Sequence, residues 1–388
     1  MLTKVNEMTE AFIAAYSAGF NEAEWMKELR LDSFRKYKQM GFPEMKYGTG
    51  IIMDISGLDI ENWSIRPEVL QSDVIYNKDI TSVKIHRSDD SIKELLGSLV
   101  KPENKLLALH YALFVWFIVI IPKNKKFNEP INISTFLENE MHFNHFLIII
   151  GDGAEVDILE DSIDYGRPGL KTNVVEMFIG KEAKVNYIMT QKLNDGVYNF
   201  TTRRAVVGKD SELNWLGCTL GSRFSQIENT SILNEEGAES NNYGIFIGIN
   251  EEQFDFFNNV RHEAPHTNSE ILTRGIVKDK SKSLCRGSIE IKKNAHSCDA
   301  FQRADTLMLS KGAEADAVPE LKIDNNDVKC SHGSTIGQVD EEKMFYLMTR
   351  GLNEQEARKT IVQGFLEPTI SKMKYIDHLK DDIDARIK

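Results

Sequence analysis

A four-residue pattern recurs through the middle of the chain: a turn former, a small residue, a residue that is usually charged, and an apolar or small one. It reads Gly153-Ala154-Glu155-Val156, Glu182-Ala183-Lys184-Val185, Asp210-Ser211-Glu212-Leu213, Gly237-Ala238-Glu239-Ser240, Lys280-Ser281-Lys282-Ser283 and Gly312-Ala313-Glu314-Ala315. The small second residue advances by 29, 28, 27, 43 and 32 positions, which reads as one repeat with an insertion in its fourth step. A unit of this length cannot bury its apolar face alone, but it can do so by stacking on its neighbours. Between these turns lie short β-rich runs such as Ile131-Asn132-Ile133, His145 to Ile150, Val174 to Ile179 and Ala205-Val206-Val207, each bounded by Gly, Asp or Asn. Few helical signals interrupt them. A parallel β-helix from about residue 115 to 337 follows, with Ala154, Ala183, Ser211 and Ala238 at matching corners. The alternative, a large β-sandwich, should show turns about every 8–12 residues without a shared tetrapeptide.

The flanks differ in texture. Residues 1–105 read as mostly helical. Asn21 with Glu24 three residues on predicts a capping box for a helix from Glu22 to about Met40, which Gly41-Phe42-Pro43 stops. Leu106 to Phe114 is helix-compatible, and Val115 to Ile121 is a β-branched and aromatic run. Together they predict a buried helix feeding a buried strand, and the apolar stretch falls short of the ~20 residues a membrane-spanning helix needs. After Gly337, Asp340 caps a helix over Glu341 to Arg350, Gly351 suits its C-terminal stop, and Asn353 with Glu356 opens a second helix running to Phe365. Three regions result: 1–105 helical, 106–337 β-helix, 338–388 helical.

Absent features narrow the chemistry. A net charge of −12 without a Lys/Arg run lacks the footprint of a nucleic-acid or anionic-membrane binder. Four cysteines, Cys218, Cys285, Cys298 and Cys330, are too few for a secreted disulfide framework, and Glu7 and Glu10 stand where a secretory segment would be basic, so a cytoplasmic protein is expected. Phosphate-loop, dinucleotide-turn, nucleophile-elbow and zinc-helix motifs are missing, since Gly169-Leu170-Lys171-Thr172 and Gly208-Lys209-Asp210 lack the required spacing. The chain is therefore expected to bind no ATP, NAD or flavin. Asp157, Glu160 and Asp161 read as a solvated turn in an acidic chain.

Two mirrored triplets stand out, His296-Ser297-Cys298 and Cys330-Ser331-His332. In a strand, residues i and i+2 share a face, so each triplet would present imidazole and thiolate side by side. Cys298 lies 17 residues after Ser281 and Cys330 17 after Ala313, which predicts equivalent positions on successive coils, about 4.8 Å apart. Such donors suit iron–sulfur species, zinc or copper(I). The bland reading makes both cysteines buried small hydrophobes, and it holds for Cys218 and Cys285, which have no histidine neighbours.

The segment Asp327-Val328-Lys329-Cys330-Ser331-His332-Gly333-Ser334-Thr335-Ile336-Gly337-Gln338-Val339-Asp340-Glu341-Glu342, continuing through Met344-Phe345-Tyr346-Leu347 and Arg350-Gly351, resembles the C-terminal signature of the SufB/SufD proteins of the SUF iron–sulfur assembly system. Pro319 to Ile323, Ile121 to Asn124 with Pro130 to Ile133, and Glu24-Trp25-Met26 to Arg30-Leu31 agree with it. The N-terminal Asn21 to Arg30 is similar to SufB, whereas Cys330-Ser331-His332-Gly333 is similar to SufD. SufB usually has His-Glu in place of His332-Gly333, and a cysteine near Gly312 to Ala315.

The resemblance implies a right-handed parallel β-helix between helical ends and a non-ATPase scaffold that helps build and transfer a nascent Fe–S cluster at a dimer interface. It implies two partners: a SufC-like ABC ATPase, and a second β-helix in a homodimer or a heterodimer with a paralogue. Cys330 and His332 become the cluster candidates; Cys298 and His296 rest on register alone. Met344, Phe345, Leu347, Arg350 and Ile361 become ATPase contacts, on helices that otherwise would only shield the last coil. The rivals are a carbohydrate-active β-helix enzyme and a structural partner of an ABC-type ATPase without cluster binding.

Overall fold

The computed structural model describes residues 3–42, 50–65, 74–76, 92–137, 140–164 and 166–387. Its centre is a parallel β-solenoid in which each coil contributes one strand to each of two sheets, of eight and nine strands. Strands run in parallel register from Val115–Ile121 to Val328–Gln338, about 30 residues per coil. Stacking puts like on like: Ile121, Ile150, Ile179, Val207, Leu233, His262, Ile291 and Ile323 form one continuous row across the eight-stranded sheet. Among the described residues no helix is long and apolar enough to cross a membrane.

The corners explain the recurring tetrapeptide. Asn124, Gly153, Glu182, Asp210, Gly237, His266 and Ser297 all adopt positive φ, between 54° and 72°. From Gly153 on, the residue after each, from Ala154 through Ala183, Ser211, Ala238 and Thr267 to Cys298, is essentially fully buried and opens a strand of the nine-stranded sheet. A left-handed residue turns the chain, and a small one lets the next coil approach. At Gly153 and Gly237 a Cβ would sit only 2.4 Å and 2.1 Å from the side-chain oxygens of Asn124 and Asp210, so glycine favours both the turn and the close approach there.

The expected corners Ala154, Ala183, Ser211 and Ala238 are therefore real. The expected insertion is not. Ser281 and Ala313 open strands Lys282–Ile291 and Glu314–Ile323 of the other sheet, so the 43-residue step is about one and a half coils. The true successors of Ala238 are Thr267 and Cys298, which carry no tetrapeptide.

Glu160 corrects a second reading. Instead of a solvated turn it points into the solenoid, where Arg203 Nη2 lies 3.0 Å from its carboxylate and Tyr187 and Asn173 donate to it. Burial opposes its charge, but Arg203 and Lys171 outweigh burial and hold its carboxyl below the usual range. A lone charge there would be expensive, so the interior is a linked set of partners.

The first coil is covered by α1 (Glu10–Gly19), α2 (Glu24–Gln39) and α3 (Lys105–Leu113), the last feeding strand Val115–Ile121 as expected. The predicted capping box is absent: α2 begins after Ala23, which makes no side-chain cap, and Asn21 takes φ 53°. Glu22 is instead drawn to the buried guanidinium of Arg30, 2.5 Å away, and to Trp116 Nε1 at 3.2 Å. The described residues 50–65 are mainly extended rather than helical, while α1, capped by Thr9, was not anticipated.

Beyond the solenoid come α4 (Glu341–Thr349), capped by Asp340, α5 (Glu354–Ile370), with the Asn353/Glu356 capping box present, and α6 (Lys380–Ile387). Rather than shielding the last coil, α5 and α6 fold back along the outer face of the nine-stranded sheet. There Val362, Leu366, Leu379, Ile383 and Ile387 bury Cys218, Leu220, Ile245, Ile247 and Ile276.

His262 interrupts the aliphatic row fully buried, bonded through Nδ1 to Thr267 Oγ1 at 2.7 Å and through Nε2 to Ser269 Oγ at 2.9 Å. Burial lowers its pKa from 6.5 to about 4. Because the unfolded imidazole binds a proton that the folded one refuses, this contribution is complete above pH 6.5 and is lost as pH falls towards 4. The linked loss is about 3 kcal/mol. Urea unfolding from pH 7 to pH 4.5 should therefore show a shallower acid decline for His262→Gln than for the parent chain; identical slopes would remove His262 from the acid response.

Candidate functional site

The last coil consists of strands Glu314–Ile323 and Val328–Gln338, and among the described residues each is the terminal strand of its sheet, paired on one edge only. Long unpaired edges expose rows of backbone donors and acceptors that natural proteins normally cover or blunt. Pro319 lies within the first of them, where a residue without N–H is tolerated because one edge has no partner in the sheet. Ile323 is exposed at 41%, unlike the buried Ile291 and Leu233 of its own row, and Ile336, in register with Thr306, at 37%.

Cys330 and His332 sit on this edge. Register places Cys330 beside Ala300 and His332 beside Gln302, both inward-facing and buried. The two residues therefore share the face that would point into the lumen if another coil followed. With none following, Cys330 is half-buried and His332 exposed. Burial, and secondarily the carboxylate of Asp299, pushes the Cys330 thiol up to about 11. Gln302 anchors the floor by donating Nε2 to the Glu320 carbonyl at 3.0 Å, and it fills the space left by Gly287. Nothing local in Phe301-Gln302-Arg303 marked Gln302; only its register with His332 reveals it.

The other triplet does not match this arrangement. Cys298 pairs in register with Val328, not with Cys330, because six residues link the strands before Cys298 but only four link those before Val328. Equal sequence offsets thus end two positions apart. Cys298 fills a corner, its Sγ 3.1 Å from Thr267 Oγ1 and 3.4 Å from the Ala295 carbonyl. His296 is exposed on the preceding turn, edge-on to His266 at 5.2 Å, and does not share a face with Cys298. All four cysteines are free thiols, and burial pushes Cys218 and Cys285 up to about 12. Among the described residues no three His, Cys, Asp or Glu side chains are grouped to hold a metal ion.

Helix α4 follows the edge strand directly. Phe345, Tyr346 and Met348 are exposed at 70%, 56% and 43%, Arg350 is exposed, and Met344, Leu347 and Ile361 are half-buried. Between α4 and the last coils lies a groove of about 440 Å³ lined chiefly by Met308, Leu309, Val339, Met344, Phe345 and Met348. Tyr346 and Met348 were not among the expected contacts; amphipathic spacing favoured their half-buried neighbours.

Residues 133–365 match the family described as SUF system FeS cluster assembly, SufBD core domain. Among curated relatives, an iron–sulfur cluster assembly SufBD family protein of Staphylococcus epidermidis is 29% identical over 344 residues, covering 86% of this chain and 73% of that protein. One from Staphylococcus haemolyticus is 30% identical over 345 residues with the same coverage, and one from Staphylococcus aureus is 28% identical over 418 residues, covering 93% and 88%.

The environments of the two cysteines set opposite tolerances. Cys298→Leu should overpack its corner and cost about 1–3 kcal/mol, whereas Cys330→Leu, at an open edge, should change stability by less than about 0.5 kcal/mol. Denaturant midpoints of the two variants check this ordering, and an equal loss at both positions would contradict it.

Proposed function

Because the chain belongs to the SufBD family of the SUF iron–sulfur cluster assembly system, we propose that it is a cytoplasmic, non-ATPase scaffold on which a nascent cluster is assembled at a subunit interface. The observation that carries this reading is the uncovered last coil, which holds Cys330 and His332 side by side on the unpaired edge of its sheet. Two donors are too few for a closed tetrahedral site. A second β-helix, from another copy or a paralogue, would cover the edge and bring further ligands. Iron and sulfide are then cargo, and Cys330 must lose its proton to hold either. With its thiol raised to about 11, that loss occurs when metal or a partner's cationic group arrives.

The energy source in this reading is a SufC-like ABC ATPase docked in the groove beside α4, with Phe345 as its most exposed apolar anchor. Met344 lines the same groove, whereas Leu347, Arg350 and Ile361 stand outside its lining. Cys298 and His296, the one buried and the other turned away, are left outside the proposed ligand set.

Two measurements test the proposal. In the complex co-purified anaerobically with the ATPase, Cys330→Ala/His332→Ala should lower bound iron and sulfide by more than half while leaving the complex assembled; unchanged content would reject the ligand role. Phe345→Ala should weaken ATPase binding by ≥2 kcal/mol, in the range of interface anchors, without lowering the melting temperature of the free chain. Wild-type affinity in that variant would place the ATPase elsewhere.

A further inference from the structure

Residues 51–54 cross the outer face of the eight-stranded sheet along the solenoid axis. Ile51 and Met53 are buried at 5% and 3% exposure, whereas Ile52 is 59% exposed and Asp54 also faces solvent, the alternation of a chain covered on one side. Two anchors hold the segment. Ile51 N donates to Asp316 Oδ2 at 3.3 Å, on the edge strand Glu314–Ile323. Asp54 is clamped at two points by Gln253, whose Oε1 accepts from Asp54 N at 2.7 Å and whose Nε2 donates to Asp54 O at 3.0 Å.

The anchors are two coils apart, since strand Gln253–His262 pairs with Lys282–Ile291, which pairs with Glu314–Ile323. Two strand spacings are about 9.6 Å, and Gln253 and Asp316 also lie two residues apart along the strands, so residues 51–54 together with these two side chains span the interval. Beneath it, Leu284 shares a row with Asp255 and Asp316 and is fully buried, in the same apolar cluster as Ile51 and Met53. From Asp54 the chain continues to Trp63, whose ring is tilted against Tyr198 with centroids 6.2 Å apart, and to Ser64, whose N–H donates to Glu140 at 2.7 Å beside the first coils.

We infer that Ile51–Asp54 is a longitudinal tie that holds the last coil against fraying, with Gln253 and Asp316 as its positioning residues. An end strand paired on one edge is where a solenoid opens first. The tie fastens that strand to an interior coil from outside, leaving its free edge available. Its consequence for cluster building rests on the function proposed above; the tie itself is a property of the isolated chain.

Hydrogen exchange on the full-length protein, free of iron and partners, tests it. Asp316→Ala should raise exchange at amides of strand Glu314–Ile323 at least threefold while strand Gly169–Ile179 keeps its protection. Asp316→Asn, which retains an acceptor oxygen, should stay near the parent value. Two glycines inserted between Met53 and Asp54 keep both anchors but add slack, and they should reproduce the Asp316→Ala pattern. Faster exchange confined to residues 51–57, or spread equally over all coils, would overturn the tie. Iron–sulfide yield is read separately, so loosened end-strand exchange with normal yield would uphold the tie and count against the proposed role of the edge.

Discussion

Everything in this molecule depends on successive coils lying in register at the strand spacing. Parallel stacking gives each inward residue a neighbour above and below at the same height, so one coil's choice constrains the next. The corner is where the constraint is tightest. A left-handed residue followed by a buried small one repeats from Gly153-Ala154 to Ser297-Cys298. Non-glycine residues in that conformation cost roughly 1–2 kcal/mol each, and Glu182, Asp210, His266 and Ser297 all tolerate it. The ladder hydrogen bonds on both sides of each corner over-determine the turn, which is how such strain persists.

Register also decides what the interior can contain. A charge inside one coil must find its partner one or two coils away, as Glu160 does in Arg203 on a strand of the facing sheet. Lys171, buried and bonded to the hydroxyls of Ser162 and Thr135, is pushed down to about 8 by burial despite attraction from Glu160. These groups form one linked set, and loss of Glu160 or of Arg203 would leave its partner's charge buried without its counter-ion.

Legibility in the sequence followed the same physics. Corners were readable where the small residue was Ala or Ser and the following residue charged, and they became invisible at Thr267 and Cys298, where the same space is filled by other small side chains. The fold class and the terminal helices α4 and α5 were readable because their signals are local. What failed was whatever depended on counting across a turn: the stacking of Cys298 on Cys330 assumed turns of equal length, and turn length is free to vary at the surface. Glu160 was misread because an acidic residue in an acidic chain carries no sign of a cation 43 positions away. Asn21 and Glu24 formed a capping motif that tertiary pairing of Glu22 with Arg30 displaced. The candidate site was readable at Cys330 and His332 through a long contiguous resemblance, and unreadable at Gln302 and Asp316, which matter only through register and the segment crossing them.

The coverings of the solenoid are uneven in an instructive way. Three helices cover the first coil, α5 and α6 cover the outer face of one sheet, and residues 51–65 cross the other. Among the described residues the last coil keeps an unpaired edge on both of its strands, and there burial raises the half-buried thiol of Cys330 further above the range of an ordinary thiol, which makes it a poor nucleophile alone. In the proposed function these two properties are complementary: the open edge would favour a partner, and the raised thiol would stay unreactive until that partner or its metal arrives. Both arise from the absence of one more coil, so in the proposed function the same truncation that exposes the interface also sets the reactivity of the residue within it.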